Sequence, residues 1–220
     1  MGKNGTFIEA GAFDGETFSN TLNLEKEFGW SGLLIEPNPL EYELLARKNR
    51  KAYLANCCLS LISRTSEVYL RLWGSRTDII KDPSDARKTV LSHIKCYPLY
   101  TLMVATNLTT VDFFSLDVEG VEMKILETIP WNDVTIKSFL IENDLIPEGK
   151  DFLKKYMETK GYKIRLQITV YYRYRRLQIT VCYRIRLNNV IDIDGFKSLY
   201  VIDIDGFKSL LRSFGRDVNN

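Results

Sequence analysis

No stretch of this sequence approaches the roughly 18 uninterrupted apolar residues of a membrane span, and no apolar leader segment follows its first residues. As written, the chain is expected to be soluble and cytoplasmic. Only Met1 to Asn4 precede the first strand, so a missing N-terminal anchor is the one route to a secretory or endosomal membrane. The glycosylation patterns Asn4-Gly5-Thr6 and Asn107-Leu108-Thr109 support that address weakly. Excess charge is also lacking: 30 basic residues against 28 acidic give a formal +2, which excludes a general attraction to nucleic acid or acidic lipid. Cysteine is scarce. Cys57, Cys58, Cys96 and Cys182 show no metal-ligand spacing, and reduced, buried thiols are expected. The single histidine, His93, falls in a stretch of loop character and reads as a surface residue rather than a catalytic base.

What is present is an α/β pattern. With 220 residues, 45% of them hydrophobic, the chain can bury one sizeable core. Phe7-Ile8-Glu9-Ala10-Gly11-Ala12-Phe13-Asp14-Gly15 is an apolar strand that stops at a glycine loop, where backbone can approach a ligand closely. A helix is expected from Glu16 to Phe28, closed by Gly29, with its first N–H groups open to that ligand. The second strand, Gly32 to Ile35, ends at Glu36, where an acid holds a ribose in dinucleotide-binding folds. The loop is Gly-x-x-x-Gly and not Gly-x-Gly-x-x-Gly. That departure turns the expectation from a pyrophosphate to an unphosphorylated nucleoside such as S-adenosylmethionine.

Pro37-Asn38-Pro39 breaks the second strand, and the pattern then predicts a helix over Leu40 to Arg50. A third strand is expected over Ala52 to Leu59, a half-exposed one over Glu67 to Leu72, and a surface loop from Gly74 to Thr89. The second strong signal is Val111 to Glu122. A buried strand there delivers Asp117 and Glu119 to the carboxyl edge, where open α/β sheets bind ligands, and Glu122 opens a helix to Ile129. Thr135 to Asn143 is a further buried strand, and Glu148 to Lys160 a helix capped by Gly161. The alternation describes a doubly wound, mostly parallel sheet.

Beyond Gly161 the character changes, and the chain divides into residues 1–162 and a tail, 163–220. Arg-Leu-Gln-Ile-Thr-Val occurs at Arg165 to Val170 and again at Arg176 to Val181, which suggests a hairpin at an antiparallel sheet edge. Lys163 to Arg186 is basic and rich in tyrosine, and reads as the solvated face of that hairpin rather than a nucleic-acid patch. A second duplication covers Val190 to Leu199 and Val201 to Leu210. Its Asp192-Ile193-Asp194-Gly195 fits neither a calcium loop, since Lys197 stands where glycine is needed, nor a phosphotransfer motif.

Three of these segments in order, Phe7 to Gly15, Leu34 to Pro39 and Phe114 to Glu122, resemble the FkbM-type S-adenosylmethionine-dependent methyltransferases. Within that family, Ser19-Asn20-Thr21 and Gly29 to Leu34 are most similar to the animal Star-like branch. The resemblance implies a Rossmann-like seven-strand sheet with an antiparallel C-terminal edge. It also implies a cofactor site built from Glu9, Gly11, Ala12, Asp14, Gly15 and Asn38, with ribose on Glu36, adenine near Asn56 and Cys57, and Asp117 beside it. Asp117 and Glu119 become the candidate bases for methylating a hydroxyl on a small molecule or glycan, although an acid at this place can equally bind the cofactor's amino group or a metal; no residue is assigned as a metal ligand. The alternative it implies is a non-catalytic role in secretory or endosomal cargo trafficking.

Overall fold

The computed structural model describes residues 3–73, 76–80, 90–143, 145–172 and 175–184. In chain order the elements are β1 (Thr6–Ala10), α1 (Leu22–Phe28), β2 (Ser31–Ile35), α2 (Pro39–Ala46), β3 (Tyr53–Ala55), β4 (Cys58–Leu59), β5 (Ser66–Trp73), β6 (Arg76–Ile80) and β7 (Val90–Tyr97). They continue with α3 (Leu99–Ala105), β8 (Thr110–Leu116), α4 (Glu122–Thr128), β9 (Thr135–Glu142), α5 (Lys150–Thr159), β10 (Tyr162–Tyr172) and β11 (Arg175–Arg184). A seven-stranded sheet runs β10-β11-β9-β8-β1-β2-β3, and a four-stranded sheet runs β4-β7-β5-β6.

Both faces of the central strands β1, β2, β8 and β9 are buried, which is why they read as unbroken apolar runs. Ile8, Leu33, Phe114 and Phe139 pack with Met103 of α3, Leu126 of α4 and Leu153 of α5. Phe7, Leu34, Phe113 and Leu140 pack with Leu24 of α1 and Leu45 of α2. Each such side chain contributes about 1.5–3 kcal/mol by leaving water. Strands β3, β2, β1, β8 and β9 are mutually parallel, so their carboxyl ends share one edge.

The duplicated words form the expected hairpin. β10 and β11 pair antiparallel with Leu166 opposite Val181, Ile168 opposite Ile179 and Val170 opposite Leu177. The second strand turns back inside the first, because β11 also pairs antiparallel with β9. The Tyr162 hydroxyl donates to the Ile136 carbonyl at 2.6 Å, and its ring meets Phe139 edge-on at 5.3 Å. These contacts fix the start of β10 beside β9. The second duplication and Asp192 to Gly195 lie outside the described residues.

Several expectations are corrected. The first helix begins at Leu22 rather than Glu16, since Asp14 accepts the Glu16 and Thr17 N–H groups and so holds that segment as a turn. Gly29 does close it, in left-handed conformation with φ 69°. The second helix stops at Ala46, short of Arg50. Ala52 to Leu59 is two strands on two sheets, parted where the Asn56 amide donates to the Glu36 carbonyl at 2.8 Å. Within the expected loop from Gly74 to Thr89, residues 76–80 form β6, paired with β5; the remainder lies outside the described residues. His93 is in strand β7, not a loop, and is half exposed with Nε2 3.2 Å from Glu67. The reduced-thiol expectation fails for two cysteines. Cys58 and Cys96 are register partners of β4 and β7 and form a disulfide across a Cα separation of 4.3 Å. Cys57 remains a buried free thiol. No described helix is long and apolar enough to cross a membrane.

Candidate functional site at the carboxyl edge of the sheet

The glycine loop leaves β1 and is held against β2, with the Gly11 and Ala12 N–H groups both donating to the Ile35 carbonyl at 3.0 and 3.1 Å. Gly11 has φ 84°, and a Cβ there would overlap the Asp117 carbonyl oxygen. Glycine therefore lets the loops after β1 and β8 touch. Gly15, with φ 76°, is instead a packing position, because a Cβ would overlap Leu45.

Glu9 points from β1 toward the start of α1 and is 2% exposed. It accepts from the Asn20 N–H at 2.7 Å, the Ser19 hydroxyl at 2.8 Å and the Thr21 hydroxyl at 2.5 Å. Burial pushes its carboxyl up against the pull of those donors and of Arg50. Asp14 also turns inward to its own loop: burial raises it, but the Glu16 and Thr17 donors more than reverse this and hold it below the usual carboxylate range. The helix-start N–H groups expected to meet a ligand are thus met by Glu9 and Asp14.

Arg50 organises this half. It donates from Nε to Glu25 at 3.1 Å, from one terminal nitrogen to the Gly15 carbonyl, and from the other to the Thr21 hydroxyl at 3.0 Å. Nothing in the local sequence singles out Arg50 among Arg47, Lys48 and Lys51, because its partners lie 25 or more residues away.

Glu36 lies just past β2 and clamps two loops. One oxygen accepts from the Phe13 N–H and the other from the Asn38 N–H, each at 2.8 Å. Burial lifts its carboxyl to about 7 against those donors, with the charges of Glu41 and Asp117 adding. Asn38 is buried and caps α2 through Leu40 at 3.0 Å. Cys57 is buried next in sequence to exposed Asn56, its thiol pushed up to about 11 by burial, which leaves it unreactive.

Asp117 follows β8 and is half-buried; its N–H donates to the Ala10 carbonyl at 3.1 Å. Glu122, 1% exposed at the start of α4, accepts the Val118 and Gly120 N–H groups with one oxygen at 3.0 and 3.2 Å. Burial raises its carboxyl, and Asp117 adds to the rise. Glu142, 3% exposed at the end of β9, completes a trio in which one oxygen each from Asp117, Glu122 and Glu142 lie within 4.8 Å of one another. Glu119 stands at the half-buried lip of this loop with φ 60°. Among described residues, the positive-φ positions that are neither glycine nor asparagine are Phe13, Phe18 and Glu119. All three lie in the loops after β1 and β8, where such strain, about 1–3 kcal/mol each, marks functional segments.

The structure therefore gathers Gly11, Ala12, Glu36, Asn38 and Asp117 at one edge, with Asn56 bordering it. It turns Glu9, Asp14 and Gly15 toward the loop's own support. Glu142 was missed by sequence reasoning, although it repeats the pattern of Glu36 and Asp117, an apolar strand ending in a carboxylate.

An acid at the second strand's end, at the carboxyl edge of a parallel sheet, is the arrangement in which open α/β folds bind a ribose-bearing ligand. Residues 9–164 match the methyltransferase FkbM domain, and the chain belongs to that family, whose methyl donor is S-adenosylmethionine. The methyltransferase FkbM from Methylobacillus flagellatus KT shares the fold at 14% identity and a TM-score of 0.53, over 83% of this chain and 44% of that one. This chain thus spans under half of that protein. M. capricolum TrmK, solved with S-adenosyl-homocysteine, aligns at 10% identity and a TM-score of 0.49, covering 100% of this chain and 84% of that one. Magnesium protoporphyrin IX methyltransferase from Synechocystis PCC 6803, with bound SAM, aligns at 10% and 0.48, over 83% and 71%. No curated protein matches the chain.

Proposed function

We propose that the chain methylates a hydroxyl oxygen of a small molecule or sugar, with Asp117 as the carboxylate that receives the proton. The observation that carries this reading is a half-buried acid at the crevice edge, backed directly by the exposed, side-chain-free Gly11. The residues suit the cofactor: each Glu36 oxygen accepts one N–H and keeps a lone pair for a ribose hydroxyl. In this reading Asn38 steadies that contact, Gly11 and Ala12 leave room for the methionine part, and Asn56 and Cys57 border the adenine. When bound, S-adenosylmethionine supplies a methyl group on a sulfonium. Asp117, with Glu119 second, holds the acceptor hydroxyl and takes its proton as the oxygen–carbon bond forms and the carbon–sulfur bond breaks. The products are a methyl ether, S-adenosylhomocysteine and a protonated carboxyl.

Calorimetry with S-adenosylmethionine tests the pocket, and no heat at millimolar cofactor sinks it. Ionised Glu36 accepts a ribose hydroxyl better than the neutral acid, so affinity is expected to rise between pH 6 and pH 8, as its carboxyl near 7 loses its proton. Glu36→Ala is expected to remove both that rise and about 10–100-fold of the affinity, the worth of a hydrogen bond to a charged group. Turnover on a panel of hydroxyl acceptors then tests the oxygen specificity. The Star-like trafficking reading finds no support among the similar proteins, and Ser19, Asn20 and Thr21, which suggested it, serve as donors to Glu9. The Cys58–Cys96 bond supports an oxidising compartment. Thiol titration of the denatured protein is expected to show these two thiols only after reduction.

A further inference from the structure

We propose that Asp117, Glu122 and Glu142 form a binding site for one hard divalent cation, Mg2+, Mn2+ or Ca2+, beside the methyl-transfer crevice. The three carboxylates come from the end of β8, the start of α4 and the end of β9, and one oxygen of each lies within 4.8 Å of the others. Oxygens on opposite sides of one ion stand ~4 Å apart around Mg2+ and ~5 Å apart around Ca2+, twice the usual bond length, so the trio fits the shell of a single ion. An all-carboxylate donor set selects Mg2+, Mn2+ or Ca2+ over softer metals.

A separate observation points to a ligand. The Val118 and Gly120 N–H groups both go to one oxygen of Glu122, while its other oxygen, Oε2, is sealed from solvent and accepts no hydrogen bond. A buried carboxylate oxygen without a partner is costly, and two further acids beside it raise the cost. A cation removes both. Glu122 and Glu142 are buried whereas Asp117 is half-buried, so the trio is closed beneath and open on the Asp117 side. There an acceptor oxygen can complete the shell and become more acidic; with the ion bound, Asp117 serves as its ligand and the proton passes to Glu119 instead. That catalytic use rests on the methyl-transfer reading above; the existence of the site does not.

The test is titration of EDTA-stripped protein with Mn2+, following the free ion by electron paramagnetic resonance. One ion per chain is expected, displaceable by Mg2+, with affinity lowered at least tenfold in Glu142→Gln and in Glu122→Gln. Melting curves of both variants establish that they fold, and on the wild-type protein alone Mn2+ is expected to raise the melting temperature. No binding up to millimolar Mn2+, or equal binding by wild type and Glu142→Gln, overturns the proposal. Calorimetry with S-adenosylmethionine on the same stripped sample separates the two ideas, since its failure would sink the methyl-transfer reading while leaving the ion count untouched.

Discussion

Under the β1 and β2 ends of the sheet, buried acids are met by donors. Glu9 receives Ser19, Asn20 and Thr21, Glu25 receives Arg50 and the Lys51 N–H, and Glu36 receives Phe13 and Asn38. Under the β8 and β9 ends, three carboxylates crowd together and one buried oxygen of Glu122 accepts nothing. Around Arg50 the first half is a finished network that holds a loop in shape, with the partnerless oxygen of Glu41 lying outside it on α2. The second is a concentration of negative charge that the fold itself leaves uncompensated at Glu122. The difference teaches that an acid at a strand end has no single meaning: its donors tie Glu9 to its own loop, whereas Glu36 holds two loops with one N–H per oxygen and keeps lone pairs for a ligand, as does the bare oxygen of Glu122.

Three substitutions probe that contrast, the most damaging first. Arg50→Met removes the buried cation of the finished half and strands Glu25, whose side chain is 6% exposed. The expected loss is about 3–5 kcal/mol, read as a shifted urea midpoint with unchanged slope; a loss below ~1 kcal/mol would show that the network is not finished in the sense argued. Gly11→Ala strikes the seam between the halves. Its positive φ and the overlap with the Asp117 carbonyl should cost about 2–3 kcal/mol and weaken cofactor binding as well.

Glu122→Gln is the smallest effect and has the opposite sign. The amide oxygen can keep the Val118 and Gly120 N–H groups, while the amide nitrogen replaces the partnerless oxygen with a donor. Because the Glu122 carboxyl is raised in the folded protein, the native state binds more protons than the unfolded chain between the ordinary glutamate range and that higher value. Stability of the metal-free wild type therefore falls as pH climbs through that window. The variant should escape the Glu122 part of that fall and be more stable by about 1 kcal/mol at pH 8, measured by thermal melts from pH 5 to pH 8. A destabilised Glu122→Gln would erase the contrast between the halves.

Much of the sheet was legible because strands buried on both faces leave continuous apolar runs, and because Glu36 and Asp117 stand where such runs stop. The false starts have local causes that no periodicity shows. Glu16 to Thr21 looks helical, but Asp14 and Glu9 take its N–H groups first. Ala52 to Leu59 looks like one strand, but the Asn56 amide turns to the Glu36 carbonyl and sends Cys58 to another sheet. The disulfide depended on pairing β4 with β7, a long-range fact. Arg50 and Glu142 were invisible for the same reason, since their roles exist only once distant loops meet.

The hairpin that closes the large sheet carries Arg-Leu-Gln-Ile-Thr-Val on both strands, and only the second copy lies against β9. During synthesis the first copy leaves the ribosome while the β9 edge still lacks its neighbour, and an open strand edge accepts whatever can pair with it. Two strands carrying one word can therefore compete for that edge, and only the order of the final sheet, with the second copy inside, records which one holds it.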